Sequence, residues 1–208
     1  MYTKESIFNL ALGALLLQRQ VTDASATNNN EVVVLNTHYA TALRMTLEDL
    51  DLDATSTQVA LTLIEEDDAD FPEWKYVYRY PTNCAFFRRI KSMQTMDDRD
   101  SHIPKKVGLY GTPKEKVIFT NETDAIAEFI PNDIPLSTLA APVGLCVAYR
   151  LAFLSAPLIT GKGAMKLRKE IEDMYKETKA EAQEQDAREN FNYYDETLTS
   201  EFVKARQS

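Results

Sequence analysis

Apolar positions recur at helical spacing near both ends of the chain and change to a period of two in the middle. Near the start, Ile7, Leu10, Ala11, Ala14 and Leu17 make one stripe, and Thr3 stands where an N-cap is needed. A polar loop, Thr22 to Asn30, follows. Val32, Leu35, Tyr39, Leu43 and Leu50 then repeat the helical pattern, with Asn30 as N-cap and Glu31 at the positive helix end. Two helices joined by a polar loop predict an antiparallel hairpin.

From Val59 the period shortens. Val59, Leu61 and Leu63 alternate with Ala60, Thr62 and Ile64, and Trp74, Tyr76, Tyr78 and Tyr80 alternate with Lys75, Val77 and Arg79. The second run predicts a strand with four aromatics on one face. Val117, Ile118 and Phe119, then Asn121-Glu122, then Ala125 to Ile130, predict a β-hairpin. Leu136 to Ile159 is almost wholly apolar. Pro142, Pro157, the central Arg150 and the lack of flanking basic anchors favour a buried helix over a membrane span. Within it Ala140, Gly144, Ala148, Ala152 and Ala156 recur every four residues, a ridge that allows close helix approach inside the chain or between subunits. A charged helix with Leu167, Ile171, Met174 and Tyr175 on its apolar side is predicted from about Ala164 to Arg188. The last stretch holds Phe191, Tyr193, Tyr194 and Phe202 without a clear period. That tail either docks on a partner or closes back onto the bundle.

The fold class predicted is mainly α: a helical bundle with a small antiparallel β insertion, a long C-terminal helix and an extended tail. Its parts are a helical hairpin over 1–57, a β-rich insertion over 58–135, the buried and long helices over 136–189, and a tail over 190–208.

Composition adds little that is special. Hydrophobic residues are 44% and charged residues 26%, ordinary for a folded chain of 208 residues. Cys84 and Cys146 sit in apolar surroundings and read as buried free thiols of a reducing compartment. No secretory signal is predicted. The net charge of −9 repels phosphate and argues against sequence-specific DNA binding. The charge is uneven along the chain. Glu48, Asp49, Asp51, Asp53, Glu65, Glu66, Asp67, Asp68, Asp70 and Glu73 fall in a stretch without Lys or Arg, whereas eight basic residues stand between Arg88 and Lys116. Glu65, Glu66, Asp67 and Asp68 can therefore meet Arg88 and Arg89 of a neighbouring copy, or both runs can be solvated loops.

Signatures of catalysis are lacking. Asp49-Leu50-Asp51-Leu52-Asp53 has the opening spacing of a calcium loop, but Ala54 and Ala60 stand where Gly and the bidentate Glu belong. Gly161-Lys162-Gly163-Ala164 lacks the upstream glycine and following Ser or Thr of a phosphate-binding loop. His38 and His102 have no motif around them. The chain reads as a non-enzyme that needs no cofactor and no metal. The alternative is a small metal-dependent hydrolase using the acidic cluster.

Four segments together carry a family resemblance: Ile7-Phe-Asn-Leu-Ala-Leu-Gly13 with the Thr22-Asp23 loop; Tyr39-Ala-Thr-Ala-Leu-Arg44-Met-Thr-Leu; Trp74-Lys-Tyr-Val-Tyr78-Arg-Tyr-Pro81-Thr-Asn-Cys84-Ala-Phe-Phe-Arg88; and Val117-Ile-Phe-Thr-Asn121 with the Ala-rich helix at 139–156. In this order they resemble the podovirus head-to-tail adaptors, also called connectors or tail tubular protein A. Members of that family often carry a Trp shortly after the second helix, where this chain has Asp51-Leu52-Asp53-Ala54. The resemblance implies a structural virion protein of the neck and tail, assembled in the host cytoplasm. It implies a twelve-copy ring that docks on the portal protein and on a tail nozzle. DNA passes through such a ring unread, and Phe191, Tyr193, Tyr194 and Phe202 are then the portal-docking residues.

Overall fold

The computed structural model describes residues 1–67, 69–92 and 103–205, with Lys162 and 190–205 as backbone only. The chain divides into two compact units. One comprises Met1–Ala54 and the chain from Ile134 on; the other is Thr55–Asp133.

The first unit is helical. Helix α1 spans Lys4–Ala14, and Thr3 caps it reciprocally with Ser6, Ser6 N donating to Thr3 Oγ1 at 3.2 Å and Thr3 N to Ser6 Oγ at 2.9 Å. Its buried face is Ile7, Phe8, Ala11 and Leu12, a step round from the expected stripe, and Leu17 lies beyond the helix end at Ala14. Helix α2 spans Asn30–Leu50. Its cap is Asn29, one residue earlier than expected, whose Oδ1 accepts from the amides of Glu31 and Val32. Helix α3, Ala141–Ile159, is the hub against which α1, α2 and the last helix, α4, all pack. Pro142 sits in its first turn, where a missing amide N–H costs nothing, and Pro157 comes late enough that the helix ends shortly after.

Helix α4 spans Ala164–Ala205 without a backbone break. The expected extended tail is thus the end of this helix. Propensity does not favour it, since Asn190 to Asp195 are all weak helix formers, but positions 191, 194, 198 and 202 fall at the spacing of three and four that a helix face requires.

Among the described residues, the second unit is β apart from its connections. Its strands are β1 Thr57–Ala60, β2 Leu63–Glu66, β3 Tyr76–Arg79, β4 Cys84–Lys91, β5 Lys105–Tyr110, β6 Glu115–Thr120 and β7 Ile126–Pro131. They form two antiparallel sheets, ordered β1-β7-β4 and β2-β3-β6-β5. The chain is therefore α+β, 48% helix and 21% strand, and not a mainly α bundle with a minor insertion. The discrepancy has a physical source. β4 and β5, which carry much of the added strand content, show no alternation to read: Phe86-Phe87-Arg88-Arg89 sets like residues side by side along β4, which shifts register twice against β7, and Gly108 interrupts β5. β6 and β7 are strands as expected but do not form the expected hairpin: β6 lies between β3 and β5, while β7 belongs to the other sheet. Tyr76, Tyr78 and Tyr80 share one cluster with Ile90 and Ile118, but Trp74 precedes β3 and packs with Val77, Val117 and Phe119.

Candidate functional site

The helix ridge is used inside the chain. Ala148, Ala152 and Ala156 have no exposed surface, Gly144 is buried, and Ala140 packs beside the cluster of Leu50, Val143 and Tyr175. Gly144 is required as glycine in this arrangement, because a Cβ there would overlap the ring of Tyr2, whose hydroxyl donates to the Ala141 carbonyl at 2.7 Å. Four of the five residues are thus buried within the chain, and Ala140 alone keeps partial exposure. The sequence shows that small residues recur; which helix covers them depends on α1 returning to α3 from well over a hundred residues away.

The expected charge partners are also separated. Glu65 and Glu66 lie on β2 in the four-stranded sheet and are exposed, and Asp67 follows with a left-handed φ of 54°. Asp68 lies outside the described residues. Arg88 and Arg89 lie on β4 in the other sheet, where Glu128 of β7 takes them. Glu128 is 2% exposed and meets Arg88 Nη1 at 3.0 Å, Arg89 Nε at 3.3 Å and Lys91 Nζ at 2.9 Å. Three cations round one carboxylate offset the desolvation that a buried charge suffers. Within the chain, then, both arginines are engaged by the buried carboxylate of the three-stranded sheet, with Arg89 still about half exposed at 48%. The signal that would have found this is Glu128 itself, a lone acid in an apolar run.

A second polar centre, missed from sequence, forms where α2, α3 and α4 meet. Asp49 Oδ2 accepts from Arg150 Nη2 at 3.0 Å and from the Tyr175 hydroxyl at 2.7 Å, and Asp49 Oδ1 accepts from Lys179 Nζ at 2.7 Å. The Arg150 guanidinium also lies 4.1 Å over the Tyr175 ring. Partial burial alone would raise the Asp49 pKa, but the bonds from Lys179 and Tyr175 and the nearby positive charges outweigh it and hold the carboxyl below its ordinary value. Burial and the bond to Asp49 push the Tyr175 phenol up. Cys146 beside them is buried, and its pKa is raised to about 12, so it stays a thiol.

This centre ties helices together and has little room for a substrate. The adjoining cavity, lined by Tyr149, Arg150, Phe153, Ile171, Glu172 and Tyr175, is about 90 Å³. Ligand pockets are generally on the order of 300 Å³ or more. It also explains the arginine in an apolar helix. Helix α3 is long and apolar enough to cross a membrane, yet Arg150 has its counter-ion on α2 and half of the helix is buried against the other helices.

Among the described residues, no group of three or more His, Cys, Asp or Glu side chains is placed to hold a metal ion. The acidic cluster of the hydrolase alternative is thus not gathered into a ligand set within them, and His102 lies outside them. Cys84 is half-buried and lies 3.3 Å from the Tyr80 hydroxyl. Positions Phe191, Tyr193, Tyr194 and Phe202 fall on the last part of α4, where the description covers backbone alone. Among the described residues, an open cavity of about 500 Å³ lies in the β unit between Asp67, Glu73, Trp74, Lys75 and Asn121, and the same unit carries the acidic strand β2 at one margin of its sheet and the basic strand β5 at the other. No family model matches this chain, and no curated protein matches it.

Proposed function

We propose that this protein is a structural subunit of a bacteriophage neck, a twelve-copy adaptor ring between the portal protein and the tail nozzle that encloses a path for DNA. The observation that carries the reading is helix α4. It has 42 residues against the 19 of α3 on which it packs. At 1.5 Å per residue α4 is roughly 63 Å long, and α3 can flank less than half of it. A helix of that excess length, with Phe191, Tyr193, Tyr194 and Phe202 all past its midpoint, suits a subunit that reaches along a second protein. The residue pattern from Ile7 through the Ala-rich helix supports the same reading. So does a net charge of −9, which keeps passing DNA from adhering.

The test is a mass measurement of the purified chain, alone and with the portal protein of the same genome. A portal-bound complex carrying twelve copies is expected, and deleting residues 190–208 should abolish docking while circular dichroism shows the helical unit intact. A truncated chain that still caps portals normally overturns the docking role of α4. A full-length chain indifferent to the portal overturns the neck assignment.

A further inference from the structure

β2 and β5 are the outer strands of the four-stranded sheet, each paired on one side only among the described residues. Three rows of side chains cross this sheet, and the strand register gives the residue at each end. The first row is Leu63, Tyr78, Ile118, Val107; the second is Glu65, Val77, Phe119, Lys106; the third is Glu66, Tyr76, Thr120, Lys105. Every row ends in a complementary pair: apolar with apolar once, acid with base twice. Leu63 is 47% exposed and Val107 41%, with Ile64 at 39% and Leu109 at 62% beside them.

The strand count matters as much as the side chains. Four strands alternating in direction leave β2 and β5 antiparallel to each other. A second copy related by rotation about an axis along the strands therefore sets its β5 antiparallel to β2 with the three rows in step, and neither copy has to be turned over. Such a contact is heterologous and can continue from copy to copy. Outer strands that are left bare are normally a hazard that folds suppress with charge. Here the charges are of opposite sign on the two margins, which suppresses like-with-like pairing and favours unlike pairing.

We infer that copies of this chain join through this sheet, β2 of one copy adding to β5 of the next. The contact rests on the reading of the chain as an assembling subunit and needs no portal. Two of the four charges it uses are held only loosely at present. Glu66 meets Lys75 at 3.5 Å and Lys106 meets Glu73 at 3.8 Å, all four side chains about half exposed, and such surface pairs exchange at little cost. The Tyr110 hydroxyl donates to Glu65, and the Lys105 ammonium donates to the Arg88 carbonyl. Lys106 is thus the more available base, and the row from Glu65 to Lys106 carries most of the charge recognition.

The experiment is sedimentation velocity on the full chain over a range of concentration and salt. The wild type should associate with rising concentration. Glu65→Lys and Lys106→Glu should each weaken association about tenfold or more, with melting temperature unchanged. An equimolar mixture of the two variants should recover it, since each variant then offers the margin that the other lost. Tyr110→Phe, which frees Glu65 from its present donor, should strengthen association. A wild type that stays monomeric at every attainable concentration, single variants that associate normally, or a mixture no better than its parts overturns the inference. Copies that join through these margins yet ignore the portal would sink the neck assignment and leave this contact standing. Rings on the portal that survive both variants would do the reverse.

Discussion

Asp49 shows how much a single carboxylate can organise. It receives an arginine and a tyrosine on one oxygen and a lysine on the other, and so links α2 to both α3 and α4. Its depressed pKa fixes the sign of its pH dependence. A carboxyl held below its unfolded value stabilises the fold fully above that value, about 3.9 for aspartate, and loses the contribution as pH falls through the folded value. Asp49→Asn should therefore melt below the wild type at neutral pH, by a gap that narrows once pH drops under the ordinary aspartate range. Thermal denaturation of both proteins at neutral and acid pH checks this, and a gap that persists in acid would remove the charge from the explanation. The sequence shows Asp49 as one member of an acidic run with calcium-like spacing. Its real partners lie more than a hundred residues further along the chain, and spacing along one strand of sequence cannot reveal them. Glu128 was hidden differently, as a single acid whose three cations sit on a neighbouring strand.

Among the elements, α3 is both the most legible from sequence and the most constrained. Its apolar character reads directly, because every turn of a hub helix meets another helix and no face needs to be polar, although the apolar run begins at Leu136 and the helix only at Ala141. The four-residue recurrence of small side chains was equally plain, but its use was not. Ala148 and Ala152 are filled against the chain's own helices, so Ala148→Leu should overpack that contact at a cost of about 1–3 kcal/mol. Urea denaturation measures the loss, and the mutant should associate as the wild type does wherever it remains folded. Unchanged stability would mean that the helices at this point are free to separate. The strands are less legible. β6 and β7 read as strands from their short apolar runs, but the sheet that each joins is not written in them. β4 and β5 do not alternate and do not read as strands, and β2 is exposed along its whole length. Its bulge between Leu63 and Glu65 also breaks the period that would mark it.

At the scale of the molecule, the division into units follows from where hydrophobic clusters close. Leu50, Leu52, Leu139, Val143, Cys146, Tyr175 and Ala182 cluster within the helical unit, and Tyr78, Ile90, Ile118 and Ala125 within the β unit. Each core is made from its own unit's residues. Replacing 55–133 by a short Gly/Ser linker should therefore leave a folded helical unit, with helical circular dichroism and a cooperative melt. Loss of both would show that the helices depend on the β unit for their stability. Such a linker shortens the loop that has to close, so the helical unit should fold no more slowly than it does in the full chain.

The placement of α3 has a consequence for how the chain is made. α1 and α2 both lay their apolar faces on a helix that the ribosome delivers only after the whole β unit has emerged. The β unit is continuous in sequence and can close as soon as Asp133 is out, while α1 and α2 still wait with those faces uncovered. Order of synthesis thus runs against order of position: the middle of the chain matures first. For that interval, the solubility of the nascent chain rests on charge rather than on burial, in the stretch from Glu48 to Glu73 where acids stand without any base between them.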